Sequence, residues 1–194
     1  MKNLKHWLKL ICLSIFCSLL SGCISMNKYI EKKQYLFNLP TLPTSNHRAS
    51  AQNLSVHPIT ISAPFDQNYF IYRISANQYL TDYYHSFLVS PARQLNPVLI
   101  DYLKKIGITG HKELSVKITE LYADYRDRQN PKAVVTLNFV LSMEKNKKNI
   151  PLLDKTFRSA IPLKAKDSDS FVNAWSLGIK YSITTAILSL RKTR

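Results

Sequence analysis

Asp82 and His85, three residues apart, are the acid and imidazole whose spacing suggests a catalytic dyad. No serine stands in a glycine-flanked elbow and no cysteine follows Cys23, so the pair has no nucleophile to serve, and a surface hydrogen bond is the competing reading. His47, His57, His85 and His111 stand apart from one another, without the local pairings of metal sites. Four glycines in the whole chain leave no phosphate-cradling loop. The expectation is a protein that is not an enzyme, with no catalytic residue, no metal and no cofactor.

One thiol has chemistry of its own. Lys2, Lys5 and Lys9 precede an apolar run from Leu10 to Leu20, and Leu20-Ser21-Gly22-Cys23 closes it. That tetrapeptide resembles the lipobox of bacterial lipoproteins. There the cysteine thiol is alkylated by a diacylglycerol, small residues before it give a peptidase access, and the new amino terminus is acylated as well. A single-pass anchor is disfavoured, because the run falls short of the ~20 residues that cross a bilayer. Cleavage without lipidation would need a small-x-small pattern, which Cys17-Ser18-Leu19 and Leu19-Leu20-Ser21 fit badly.

The expected layout is a signal peptide over 1–22, a lipidated Cys23 with a tether to residue 33, and a single periplasmic domain over 34–194. Cys12 and Cys17 fall in the discarded peptide, so the domain has no disulfide and must be held by its core. Ile24 is not the aspartate that commonly retains lipoproteins in the inner membrane, which points to the outer membrane of a Gram-negative envelope, facing the periplasm.

The chain carries 27 Lys and Arg against 12 Asp and Glu; without the signal peptide 24 basic residues remain, a net +12. Such a balance favours anionic partners, which in an envelope are phospholipid head groups, lipopolysaccharide or peptidoglycan. Export removes nucleic acid, and the basic residues are scattered rather than gathered in a stripe. A solvated surface that only aids solubility is the plain alternative.

The elements follow from periodicity. Gln34–Leu39 alternates, with Tyr35, Phe37 and Leu39 on one face. Thr41–Gln52 reads as a loop, and Leu54–Ile61 as a strand that Pro58 confines to an edge or bulge. Strands are expected at Tyr69–Arg73 and Tyr79–Tyr84. Helical spacing links Leu95, Val98, Leu99, Tyr102, Leu103 and Ile106, with two candidate starts, Ser90-Pro91 and Asn96-Pro97. If the helix starts at the earlier pair, Pro97 should kink it.

Leu114, Val116 and Ile118 alternate, then the phase slips to Leu121 and Ala123, which predicts a bulge. Ala133 to Met143 carries the cleanest period of two and closes a hairpin, and Leu153–Ile161 returns as a further strand. Ser168 or Asp169 is expected to cap a last helix with its stripe at Val172, Trp175, Ile179, Ile183, Ala186, Ile187 and Leu190. Strands, helix, strands, helix predict an α+β two-layer sandwich, a mostly antiparallel sheet with two main helices on one face. Tyr69, Tyr72, Tyr79, Tyr83, Tyr84 and Phe87 are the candidate contacts for partner or lipid, since tyrosines serve interfaces and lipid grooves; they equally suit a sheet core.

Taken together, the lipobox, Tyr35-Leu36-Phe37-Asn38-Leu39, Phe70-Ile71-Tyr72-Arg73, Tyr83-Tyr84-His85-Ser86-Phe87 before Pro91, Leu114-Ser115-Val116-Lys117-Ile118 and the terminal helix resemble the ABC-type transport auxiliary lipoproteins, including the PqiC-like branch. The family usually carries a tryptophan shortly before the helix proline, where Phe87 or a neighbour stands here. The resemblance implies an outer-membrane-side component of an MCE-type system that moves lipids between the membranes. Its implied partners are an MCE-domain protein, the ABC permease and ATPase, phospholipid, and the outer membrane through acyl chains; self-association stays open. The rival class is an assembly lipoprotein, a lipopolysaccharide-insertion helper or a secretin pilotin.

Overall fold

The structure, a computed structural model, describes residues 30–39, 54–104, 111–145 and 148–191. The expected signal peptide, Cys23 and the Thr41–Gln52 loop lie outside the described residues. The chain divides into two units, Met1–Glu31 and Lys32–Arg194, and the elements below belong to the second.

In chain order these are β1 (Lys33–Tyr35), β2 (Leu54–Val56), β3 (Thr60–Ile61), β4 (Tyr69–Arg73), β5 (Tyr79–Phe87), α1 (Pro91–Lys104), β6 (Lys112–Asp124), β7 (Lys132–Lys145), β8 (Lys148–Pro162) and α2 (Ser168–Arg191). One mixed sheet runs β1-β5-β4-β6-β7-β8, its long ladders antiparallel, with both helices drawing on the same core face. The fold is the expected α+β sandwich.

The β6–β7–β8 meander is the frame, because its alternation commits one face to the core. Leu114, Val116 and Ile118 are buried while Ser115 and Lys117 are exposed. Between Ile118 and Glu120 the register with β7 shifts by the expected bulge, which returns Leu121 and Ala123 to the same face. Opposite them, Ala133, Val135, Leu137, Phe139 and Leu141 are almost wholly buried.

The other edge of β6 is shared by three short strands in series. β2 meets it at Lys112, β3 at Lys117 and β4 at Ala123, all parallel. A single strand was expected over Leu54–Ile61; the structure divides it at residues 57–59, because Pro58 has no N–H for the ladder. The amide of Ile59 instead donates to Asn96 Oδ1 at 2.8 Å. Helix α1 therefore starts at the earlier of the two expected pairs and runs through Pro97, which stands exposed. Gln94 of the same helix accepts from the amide of Phe37 through Oε1 at 2.7 Å.

In α2 the cap is Asp167, not the expected Ser168 or Asp169. Its Oδ1 accepts from the amide of Ser170 at 2.7 Å, and Asp169 falls in the first turn, where its charge suits the positive end of the helix. The whole expected stripe from Val172 to Leu190 is buried, with Phe171 added to it.

The helix crosses β7 and β8 closely at Gly178. A Cβ there would lie 2.7 Å from Val135 Cγ1 and 3.2 Å from Ser159 Cβ. Ser159 Oγ donates to the carbonyl of Gly178 at 3.2 Å and pairs with Ser182 Oγ at 3.3 Å, so the approach is held as well as permitted. Gly178→Ala in an exposed helix would stabilise by about 1 kcal/mol. Here it should destabilise by about 1–3 kcal/mol through overpacking, read as a lowered thermal midpoint; a raised midpoint would mean that the crossing has room for a methyl group.

Candidate functional site

Strands β4 and β5 carry the candidate tyrosines, and their pairing decides what each one does. Tyr72, Ile71 and Phe70 pair with Leu80, Thr81 and Asp82, whereas Tyr69 pairs with Ser86, so Tyr83, Tyr84 and His85 are looped out of the ladder. Asp82 organises that bulge. Its Oδ1 accepts from the amides of Tyr84 at 2.9 Å and His85 at 3.2 Å, while its Oδ2 lies 2.7 Å from both the Tyr72 hydroxyl, which donates to it, and His85 Nδ1. Because a carboxylate only accepts, Nδ1 carries the proton toward Asp82.

The pair picked out by spacing is thus brought together, but as a partly buried network with Tyr72 rather than a surface bond: the Asp82 side chain is only 14% exposed. Burial alone would raise the Asp82 carboxyl, yet the bonds from Tyr72, the Tyr84 amide and His85 outweigh it and hold the group below its ordinary value. Burial, then the bond to Asp82, pushes the Tyr72 hydroxyl strongly upward, so it stays a donor.

A depressed carboxyl stabilises the fold above its unfolded pKa, ordinarily 3.8, and that contribution is lost as pH falls through the lower folded value. It is fully present at neutral pH. Asp82→Asn keeps the shape but supplies one acceptor oxygen for four donors, and should cost about 1–3 kcal/mol in urea unfolding at pH 7. An unchanged midpoint would remove Asp82 as the organiser of the bulge.

Beside this network a cleft of about 290 Å³ opens between the sheet and the start of α2. Lys33, Tyr35, Tyr72 and His85 line it from the sheet; Tyr125, just after β6, and Lys166, Asp167, Ser168, Asp169 and Phe171 complete it. Tyr72, Tyr125 and Phe171 pack against each other with ring centroids 5.6–5.7 Å apart. Burial and the charges of Asp167 and Asp82 push the Tyr125 hydroxyl up.

The six candidate contacts divide among four environments. Phe87 is 3% exposed and packs on Phe37, Phe70 and Trp175, so it is core and is not available to a partner. Tyr72 lines the cleft. Tyr79 lies on the other face of the sheet, where it meets the buried Tyr122 edge-on at 5.7 Å, beside Phe65 and the Arg73 guanidinium. Tyr69, Tyr83 and Tyr84 are exposed, with Tyr69 and Tyr83 in a T-shaped contact at 5.4 Å.

Sequence reasoning missed Tyr125, Phe171, Lys33, Lys166, Asp167 and Asp169 as cleft residues, for no local pattern links them. Among the described residues no group of three or more His, Cys, Asp or Glu could hold a metal ion, and no helix is long and apolar enough to cross a membrane.

Neither a family model nor a curated protein matches the chain. Solved structures do. Protein XCC0632 from Xanthomonas campestris, described under the family model DUF330, superposes with a TM-score of 0.69 at 14% identity, covering 83% of this chain and 96% of its own. A second structure, of an uncharacterised protein, gives 0.63 at 15% identity and covers 82% of this chain and 99% of its own. At such identity the likeness is one of fold: nearly the whole of each neighbour is matched by this sheet and its two helices.

Proposed function

We propose that the protein is a lipid-anchored outer-membrane lipoprotein facing the periplasm, which accompanies an MCE-type ABC system in moving lipids between the two membranes and acts by binding and docking. One observation carries this reading. The bulge of β5, the turn after it and the start of β4 present large apolar side chains to solvent: Tyr83 at 65%, Leu88 at 53%, Tyr84 at 44% and Tyr69 at 38% exposure. Aromatic side chains bury much area for few rotatable bonds, which suits a docking surface. The basic balance of the chain supports work beside anionic head groups. A tether from Cys23 to Lys33, fully extended, reaches on the order of 35 Å, enough to hold the domain off the membrane while keeping it beside it.

The test is affinity purification of the full-length lipoprotein from cross-linked cells, with mass spectrometry of proteins and lipids. An MCE protein or its permease should co-purify with phospholipid, and a Tyr83→Ala, Tyr84→Ala double variant should recover at least about ten-fold less at unchanged thermal stability. Recovery of an outer-membrane barrel or a secretin in their place would overturn the transport reading in favour of the assembly class.

A further inference from the structure

The cleft between β1, β4, β5 and the start of α2 differs in charge from the rest of the protein. Basic residues outnumber acidic ones 27 to 12 over the chain, yet the cleft walls carry two lysines, Lys33 and Lys166, and two carboxylates, Asp167 and Asp169. Neither lysine is in an ion pair among the described residues. A simple anion would use the lysines and be repelled by the carboxylates, and a simple cation the reverse; a zwitterion uses both.

The aromatic residues narrow the choice further. With centroids 5.6–5.7 Å apart, Tyr72, Tyr125 and Phe171 leave no room for a cation between them, so they form a floor and not a cage. The volume, about 290 Å³, lies at the small end of ligand sites, fit for a headgroup and too small for a pair of acyl chains. The His85 ring, with Nδ1 engaged by Asp82, also lines the wall.

We propose that this cleft binds a phosphorylated primary amine, the phosphoethanolamine group, with its phosphate at Lys33 and Lys166 and its ammonium at Asp169 and Asp167. In taking the source to be a phospholipid headgroup the assignment rests on the lipid-transport reading; the binding chemistry stands without it. Asp167 also caps α2 through Oδ1, so Asp169 is the carboxylate open to substitution.

The experiment titrates the full-length lipoprotein, held in a sugar-headed detergent, with glycerophosphoethanolamine, glycerophosphoglycerol, phosphoethanolamine and inorganic phosphate. The readout is the His85 ring-proton resonance, assigned by loss in His85→Asn. Glycerophosphoethanolamine should shift it saturably and bind tighter than glycerophosphoglycerol. Lys166→Glu should weaken binding on the order of five-fold, and Asp169→Asn should abolish the preference between the two diesters. Both side chains lie at the surface, and unchanged unfolding midpoints verify that the fold is kept. Tighter binding of the diester than of free phosphoethanolamine names the lipid as source; the reverse order upholds the site and names a soluble ester. Equal response to inorganic phosphate, or no saturable shift with any probe, overturns the proposal. Because no partner protein is present, such a failure leaves the docking reading to its own test.

Discussion

Trp175→Ala lowers the stability of the folded domain by about 3–5 kcal/mol, the range for deleting a buried indole. The ring is 1% exposed and is the hub of the aromatic core: Phe70 meets it edge-on at 5.1 Å, Phe87 at 5.7 Å and Phe171 at 5.8 Å. Its Nε1 donates to the carbonyl of Tyr122 at 3.2 Å, tying α2 to the middle strand of the sheet. Truncation opens a cavity under three rings and removes the hydrogen bond that ties α2 to the sheet, and the two losses add. Trp175→Phe separates them: it refills most of the volume and removes only the hydrogen bond, so it should cost about 0.5–1.5 kcal/mol. Urea unfolding followed by circular dichroism reads both. An unchanged midpoint for Trp175→Ala would mean that the helix stripe is not core. The loss should also reach the cleft, since Phe171 packs on Trp175 and forms part of the cleft floor.

Cys23→Ala, under the proposed anchoring, moves the protein entirely from the membrane fraction to the soluble periplasmic fraction. The argument is one of chain count. Each buried methylene contributes about 0.8 kcal/mol, a single acyl chain holds only marginally, and two or more make residence effectively permanent. A thioether-linked diacylglycerol together with an acylated amino terminus supplies more than two chains, all through this residue. Fractionation should include a high-salt wash, because a chain with 27 basic and 12 acidic residues adheres to anionic lipid by charge alone, and salt screens that attraction. A variant still bound after the wash would refute lipidation at Cys23 as the anchor.

Much of the fold was legible because its signals are local. The period of two in Ala133–Met143 and the period of 3.6 from Val172 to Leu190 each commit one face to the interior, and the structure buries those faces. Even the bulge of β6 could be read, since a phase slip in the apolar pattern has one physical meaning in a half-buried strand. Pro58 marked the interruption of the strand over Leu54–Ile61, but the bond that takes up the amide after it comes from distant Asn96 and leaves no local trace, while at the start of α2 Asp167, Ser168 and Asp169 offered similar capping chemistry and Asp167 makes the bond.

The sequence by itself determined the apolar faces of the strands and helices, the absence of any disulfide in the domain, and the basic balance that favours anionic partners. Only the tertiary structure decided that Tyr72 and Tyr79, seven residues apart and alike in kind, would stand on opposite faces of the sheet, and that Phe87 would be core. It alone gathered Lys33, His85, Tyr125 and Phe171 around one cleft. The physical reason is that side-chain alternation is a property of a single strand, whereas the direction of pairing, the register and the four-residue jump between β4 and β5 are set by hydrogen bonds to other segments. Those bonds carry no period of their own along the chain, so the site they build is visible only after the strands have met.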